Sequence, residues 1–257
     1  MRILFLGDVV GRPGRRAVQQ CLPSLKETHA PDFTIVNAEN AAAGFGITAD
    51  MGEEIFKAGA DAITLGNHAF HHRDAYEYIK GEPRIARPAN MPPGTPGAEI
   101  VRLSSGSHSL AVINLCGRIF MGEYDDPFRA ADRLIEQAAA NRILIDFHAE
   151  ATSEKAAFAN YVDGRVSAVV GTHTHVQTAD ERILPQGTAF ISDVGMCGPQ
   201  DSVIGMDKQI IIRKFLTQMP ERFLVAEGPS MVSAVIIDVG ESGTAVGIER
   251  IAWTGIQ

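Results

Sequence analysis

Acidic, amide and histidine side chains recur in this sequence directly after short apolar runs, and that pairing is where chemistry is sought first. Ile3–Leu6 runs into Gly7-Asp8, Phe33–Val36 into Asn37-Ala38-Glu39-Asn40, and Ala62–Leu65 into Gly66-Asn67-His68. Ile143–Phe147 runs into His148, and Ala168–Val170 into Gly171-Thr172-His173-Thr174-His175. Asp8 and Glu39 offer anionic oxygens, Asn40 and Asn67 amide oxygens, and His148, His173 and His175 imidazole nitrogens. No cysteine accompanies them, so a mixed nitrogen and oxygen shell for iron, manganese or zinc fits better than a thiolate zinc site. Seven donors exceed one tetrahedral ion and suit two ions sharing a carboxylate. His173 and His175 stand two apart, so an extended backbone points both rings to one side, with Thr174 facing away.

Each residue alone has a plainer explanation. Asp8 could cap the helix that follows it, Glu39-Asn40 and Asn67-His68 could be polar turns, and His148 could be a satisfied core histidine. Those explanations are independent of one another, whereas a single metal site accounts for all seven residues. Other candidates carry less. His71 and His72 read as solvated residues at a helix start, with substrate contact as the alternative, and His29 and His108 read as surface residues. Arg12, Arg15 and Arg16 read as a solvated basic face rather than a phosphate site. Gly44-Phe45-Gly46 is either a turn or a mobile loop over the site, and Asp193 is a neighbour that hydrogen-bonds a ligand rather than a ligand itself.

The elements that must position these groups follow from periodicity. The apolar runs above read as buried strands, and in open α/β sheets ligands bind beyond the carboxyl ends of such strands. Helices are predicted from Arg12 to Glu27, with Pro13 in the first turn, and through Ala58 behind Thr48 as N-cap, with Ala49, Ile55, Phe56 and Ala58 as the apolar face. Further helices are predicted over Asp74–Lys80, Pro127–Ala140, Ser153–Tyr161 and near Asp207–Thr217. Glu99–Leu103 and Ser109–Leu115 read as a hairpin. Arg182–Leu184, Ala189–Ser192, Ser233–Val239 and Thr244–Ile251 read as later strands. Strand–helix alternation followed by β-rich sequence indicates a layered α/β architecture with a mixed sheet. The turn-rich stretch Pro88–Gly97 reads as a loop inside one domain, so residues 1–257 are expected to form a single domain.

Composition bounds the function. The chain has 257 residues, 23 Lys and Arg against 31 Asp and Glu, and a net charge of -8, which argues against a nucleic-acid-coating protein. The longest apolar runs are strand-sized, far below the roughly 20 residues of a membrane span. Three cysteines without close spacing fit a reducing compartment, and a cytoplasmic location is expected.

The set Gly7-Asp8, Gly66-Asn67-His68, His148 and Gly171-Thr172-His173-Thr174-His175 resembles the motifs of the calcineurin-like metallophosphoesterases. Val10 stands where that superfamily usually has a histidine ligand, and Ala38-Glu39-Asn40 replaces its usual GD motif. Both departures, with the opening stretch Met1–Arg16 and Ser192–Pro199 near the end, resemble the YmdB-type bacterial phosphodiesterases over essentially the whole chain. The resemblance implies a four-layer α/β/β/α sandwich of the metallo-dependent phosphatase type. It also implies two metal ions, iron favoured and manganese the alternative, bridged by Glu39. One ion would take Asp8, Glu39, Asn40 and His175; the other would take Glu39, Asn67, His148 and His173. His68 would be the catalytic acid, donating a proton to the leaving alkoxide. The implied substrates are cyclic nucleotides, 2′,3′-cyclic ones favoured and 3′,5′-cyclic ones also open, attacked by hydroxide held between the ions. A phosphomonoesterase with the same site, and a metal-stabilised regulatory protein acting through partner contact, are the alternatives. A small-molecule phosphodiester is the expected partner, neither membrane nor nucleic acid is expected, and a homo-oligomer is compatible with the sequence.

Overall fold

The computed structural model describes residues 1–256. Its elements in chain order are β1 (Arg2–Leu6), β2 (Asp8–Val9), α1 (Gly11–His29), β3 (Phe33–Asn37), α2 (Ala49–Ala58), β4 (Ala62–Thr64), α3 (Ala75–Gly81), β5 (Ile85–Ala86), β6 (Ile100–Ser105) and β7 (His108–Cys116). The chain continues through α4 (Pro127–Ala138), β8 (Ile143–His148), α5 (Thr152–Tyr161), β9 (Ala168–Thr172), β10 (Arg182–Ile183), β11 (Ala189–Ile191), β12 (Met196–Pro199), α6 (Lys208–Thr217), β13 (Ser230–Val239) and β14 (Ala245–Ile256).

Two sheets result. The first runs β2-β12-β13-β1-β3-β4-β5, with β14 paired to β13, and the second runs β10-β11-β9-β8-β7-β6. Strand β1 is parallel to β3, β3 to β4, and β8 to β9. The carboxyl ends of β1, β3 and β4 therefore share one edge, and those of β8 and β9 share another.

Strand pleating sorts side chains into layers. On β1, Leu4 and Leu6 pack with Val18 and Leu22 of α1 and Ile55 of α2. Ile3 and Phe5 point the other way and pack with Val112, Leu144 and Val170 of the second sheet. On the far side of that sheet, Ile113, Ile145 and Phe147 meet Leu134 of α4 and Phe158 of α5. Three apolar interfaces make four layers, α/β/β/α, as expected. Each fully buried large apolar side chain contributes about 1.5–3 kcal/mol, so strands covered on both faces are firmly held where their last residues meet the site.

The expected helices and longer strands are present, with ends displaced by a few residues. The short strands β2, β5 and β12 lie outside the expected elements. Their pairing depends on distant partners, as in β12, which joins β2 in parallel and β13 antiparallel. Thr48 occupies the N-cap position of α2 without a side-chain cap bond, and the buried face is Gly52, Ile55 and Phe56, with Ala49 exposed. Among the described residues no helix is long and apolar enough to cross a membrane. Cys21, Cys116 and Cys197 are buried and unpaired.

Candidate metal centre

Asp8, Glu39, Asn40 and His148 are almost wholly buried, and His175 is only slightly accessible. Asp8 does not cap α1, whose N-cap residue is Val10. Its Oδ2 accepts from the His173 backbone N–H at 3.1 Å, tying the end of β1 to the turn after β9. Glu39 Oε1 lies 3.0 Å from His148 Nε2, and Oε2 accepts from the His68 backbone N–H at 3.1 Å. Such approach needs glycine at 66, where a Cβ would collide with both Glu39 Oε2 and His148 Nε2.

The three histidines share one design. Thr172 Oγ1 donates to Asp146 Oδ1 at 2.7 Å, so its remaining capacity accepts Nδ1–H of His148 at 2.8 Å and leaves Nε2 turned inward. His175 Nδ1 donates to the Ile204 carbonyl at 2.9 Å, leaving Nε2 beside Asn40 Oδ1 at 3.3 Å. His173 Nε2 pairs with Glu150 at 3.1 Å, leaving Nδ1 3.0 Å from His148 Nε2. An outward hydrogen bond on one ring nitrogen fixes the tautomer that presents the other nitrogen to a metal.

The backbone carrying His173 and His175 is a correction to the extended geometry expected from their spacing. Strand β9 ends at Thr172, and both residues take positive φ, 101° and 65°. Non-glycine residues in that region cost about 1–3 kcal/mol each. Asp193 secures the turn: its Oδ2 accepts Thr174 N–H at 3.0 Å, Thr174 Oγ1–H at 2.8 Å and Lys155 Nζ at 2.8 Å. Thr174 is thus directed to Asp193, and Asp193 braces the ligand-bearing backbone instead of bonding a ligand ring.

The residues fit a cation. His148 Nε2 has Glu39 Oε1, Asn67 Oδ1 and His173 Nδ1 all at 3.0 Å, and one ring N–H cannot serve three acceptors. Glu39, His148 and His173 each place a ligand atom within 4.8 Å of the others. Buried Asp8 Oδ1 has no hydrogen-bond partner. Without a cation, protons take its place. Burial drives the Asp8 carboxyl well above its ordinary value against the pull of His175 and His148. Burial also pushes Glu39 up, but His148 and His68 outweigh it and hold the carboxyl low. Burial works against charge on His148, yet Glu39, Asp8 and Asp146 raise its pKa to about 9. Burial, then His148, pulls His173 down to about 3, so it stays neutral as a ligand must.

His68 stands beside this group with its ring turned to other partners. Asn67, whose Oδ1 faces His148, donates from Nδ2 to His68 Nε2 at 3.2 Å, which puts the neutral ring's proton on Nδ1. Burial lowers the His68 pKa although Glu39 opposes the shift. Phe45 meets the ring edge-on, with centroids 5.0 Å apart. The supporting residues Asp146, Thr172, Glu150 and Lys155 are absent from the sequence-derived site. Asp146 and Thr172 had a signal, being polar positions in otherwise apolar strands. Lys155 had none, since a helical lysine reads as solvated until packing shows it buried.

A four-layer sandwich with histidines, amides and carboxylates gathered at its strand ends has the fold of the calcineurin-like metallophosphoesterases. Residues 4–251 match the family described as YmdB-like protein, and this chain belongs to that family. The chain is 55% identical over 254 residues to the 2′,3′-cyclic-nucleotide 2′-phosphodiesterase of Bacillus subtilis (strain 168), covering 98% of this chain and 96% of the relative. The crystal structure of a hypothetical protein from Thermus thermophilus superposes with a TM-score of 0.95 at 45% identity, covering 99% and 100% of the two chains. That of a novel phosphatase from Mycoplasma pneumoniae gives a TM-score of 0.95 at 34% identity, covering 99% and 93%.

Proposed function

We propose that this chain is a dinuclear metal-dependent phosphodiesterase that hydrolyses cyclic nucleotides, 2′,3′-cyclic ones in preference, with iron favoured over manganese. The observation that carries this reading is the three histidines, each tied outward through one nitrogen, with His148 turned inward toward Glu39 and Asn67, His175 toward Asn40 and His173 toward His148. The name of the Bacillus subtilis relative supports the substrate class. Asp8, Glu39, Asn40 and His175 would hold one ion, and Glu39, Asn67, His148 and His173 the other. Two divalent ions, when bound, supply Lewis-acid stabilisation of a phosphodiester's charge and lower the pKa of water toward neutrality.

The remaining work falls to the chain. Glu39, gripped by the His68 amide on one oxygen and lying against His148 on the other, has one oxygen free of ring contact for the second position. His68 provides the acid. Burial favours the neutral ring, which keeps one N–H to offer the departing ribose oxygen. A neutral imidazole N–H stabilises developing negative charge in this way in other enzymes.

The test compares 2′,3′-cyclic AMP and bis(p-nitrophenyl) phosphate with p-nitrophenyl phosphate on anaerobically metal-loaded protein. Turnover of the diesters well above the monoester is expected, and inert diesters overturn the reading. His68→Ala is expected to keep its metal content while kcat falls about 10²–10⁴-fold; metal lost along with turnover makes His68 a ligand instead.

A further inference from the structure

Beside His68 lies a cleft of about 1010 Å³, walled by the start of α1 and by the segment between α6 and β13. Phe45 and His71 line it, and both rings also neighbour His68, at 5.0 and 6.1 Å between centroids. The cleft therefore comes within one ring of the expected acid. Binding pockets for single small ligands span about 300–1,000 Å³, so this one has room beyond one cyclic mononucleotide.

Its charge runs against that of the chain. Arg12 and Arg16, one turn apart on the exposed side of α1, and exposed Arg222 opposite them line the cleft without an ion-pair partner among the described residues. Arg15 is taken up by Glu54, and Glu221 by Arg213. Three free guanidinium groups thus face one free carboxylate, Glu227, in a protein of net charge -8. The first turn of α1 contains no acidic residue to oppose its positive end. Flat rings accompany the charge: Phe45 is stacked on His71 with centroids 5.4 Å apart, and Phe223 lies under the Lys214 ammonium. Guanidinium groups spaced along a groove with aromatic faces among them match a single-stranded polynucleotide, whose phosphates pair with arginine while its bases stack.

We infer that this cleft holds the nucleotides preceding a 2′,3′-cyclic phosphate terminus, so that short oligoribonucleotides ending in that group are preferred over free cyclic mononucleotides. The inference rests on the phosphodiesterase reading above and adds no new reaction. Water adds across one ring P–O bond, its oxygen to phosphorus and a proton to the released ribose oxygen, leaving an oligoribonucleotide with a terminal phosphate monoester.

The test measures kcat/KM for 2′,3′-cyclic AMP and for a tetraribonucleotide ending in adenosine 2′,3′-cyclic phosphate, across a salt series. The tetranucleotide is expected to be favoured by about tenfold or more at low salt, its advantage falling with a slope of about -0.7 in log salt for each phosphate held. In the Arg12→Ala, Arg16→Ala, Arg222→Ala triple variant the ratio of the two substrates should fall toward one. The corresponding triple lysine variant should retain most of it, since lysine keeps the charge. Anisotropy of a labelled tetraribonucleotide ending in a 3′-phosphate, on metal-free protein, should show the same loss of affinity. A wild-type ratio near one, or a ratio indifferent to the alanines, overturns the inference while the phosphodiesterase reading stands. If neither substrate is hydrolysed, that reading fails and takes the inference with it.

Discussion

Thr172 and Glu150 do the same job in different surroundings. Thr172 is fully buried between Asp146 and His148, whereas the Glu150 side chain that steadies His173 is 47% exposed. A buried hydroxyl cannot be replaced by water, while an exposed carboxylate partly can. Thr172→Val is therefore expected to weaken metal affinity by about 10–100-fold, the usual range for such supporting partners, and Glu150→Gln by less. Competition against a chelating dye measures both. The residue types of the candidate ligands could be picked out in the sequence, because a metal shell restricts residue type severely. The tautomers were not, since they depend on Ile204, Thr172 and Glu150, none of which has a ligand-like signature.

At the scale of elements, α5 acts on the site through one residue. Lys155 is buried, and its ammonium bridges the Thr172 carbonyl at the end of β9 and Asp193 beyond β11, both at 2.8 Å. Removing one partner of a buried ion pair strands the other charge and costs about 3–5 kcal/mol. Lys155→Ala should lose stability on that scale in urea denaturation, and the turn holding His173 and His175 should loosen with it. The strands that carry the candidate ligands were legible because each is an apolar run ending abruptly in a polar group. The turn after β9 was not, because spacing alone cannot distinguish a pleated strand from two positive-φ residues secured by Asp193. Short β12 was hidden for a related reason: Gly198 and Pro199 weaken its strand signal, and β2 and β13 supply the pairing.

At the scale of the molecule, charge behaves differently inside and out. Composition argued against a nucleic-acid-coating protein, but a sum over the chain cannot show Arg12, Arg16 and Arg222 lining one cleft. The interior makes stability depend on pH and metal together. In the metal-free protein the His148 pKa rises from 6.5 to about 9, so its contribution is complete below about 6.5 and is lost as pH climbs toward 9. A cation needs that nitrogen deprotonated, so metal binding strengthens over the same interval. Chelated protein should therefore lose thermal stability from pH 6.5 to 9 while the gap between loaded and chelated protein widens. Differential scanning calorimetry at several pH values reads both trends, and a gap that narrows contradicts the assignment of His148.

Strand β13 sits between β1 and β12 in the first sheet, although more than two hundred residues separate it from β1. Along the chain β3 follows β1 and can cover one of its edges, but the other edge stays open until β13 is made. The turn at Gly7, whose N–H bonds to Ser233 of β13, cannot be set before then, and Asp8 depends on that turn. The nascent chain thus carries an open apolar strand while more than two hundred residues are added, the condition under which chaperones are engaged. A complete metal centre would likewise have to await the delivery of β13.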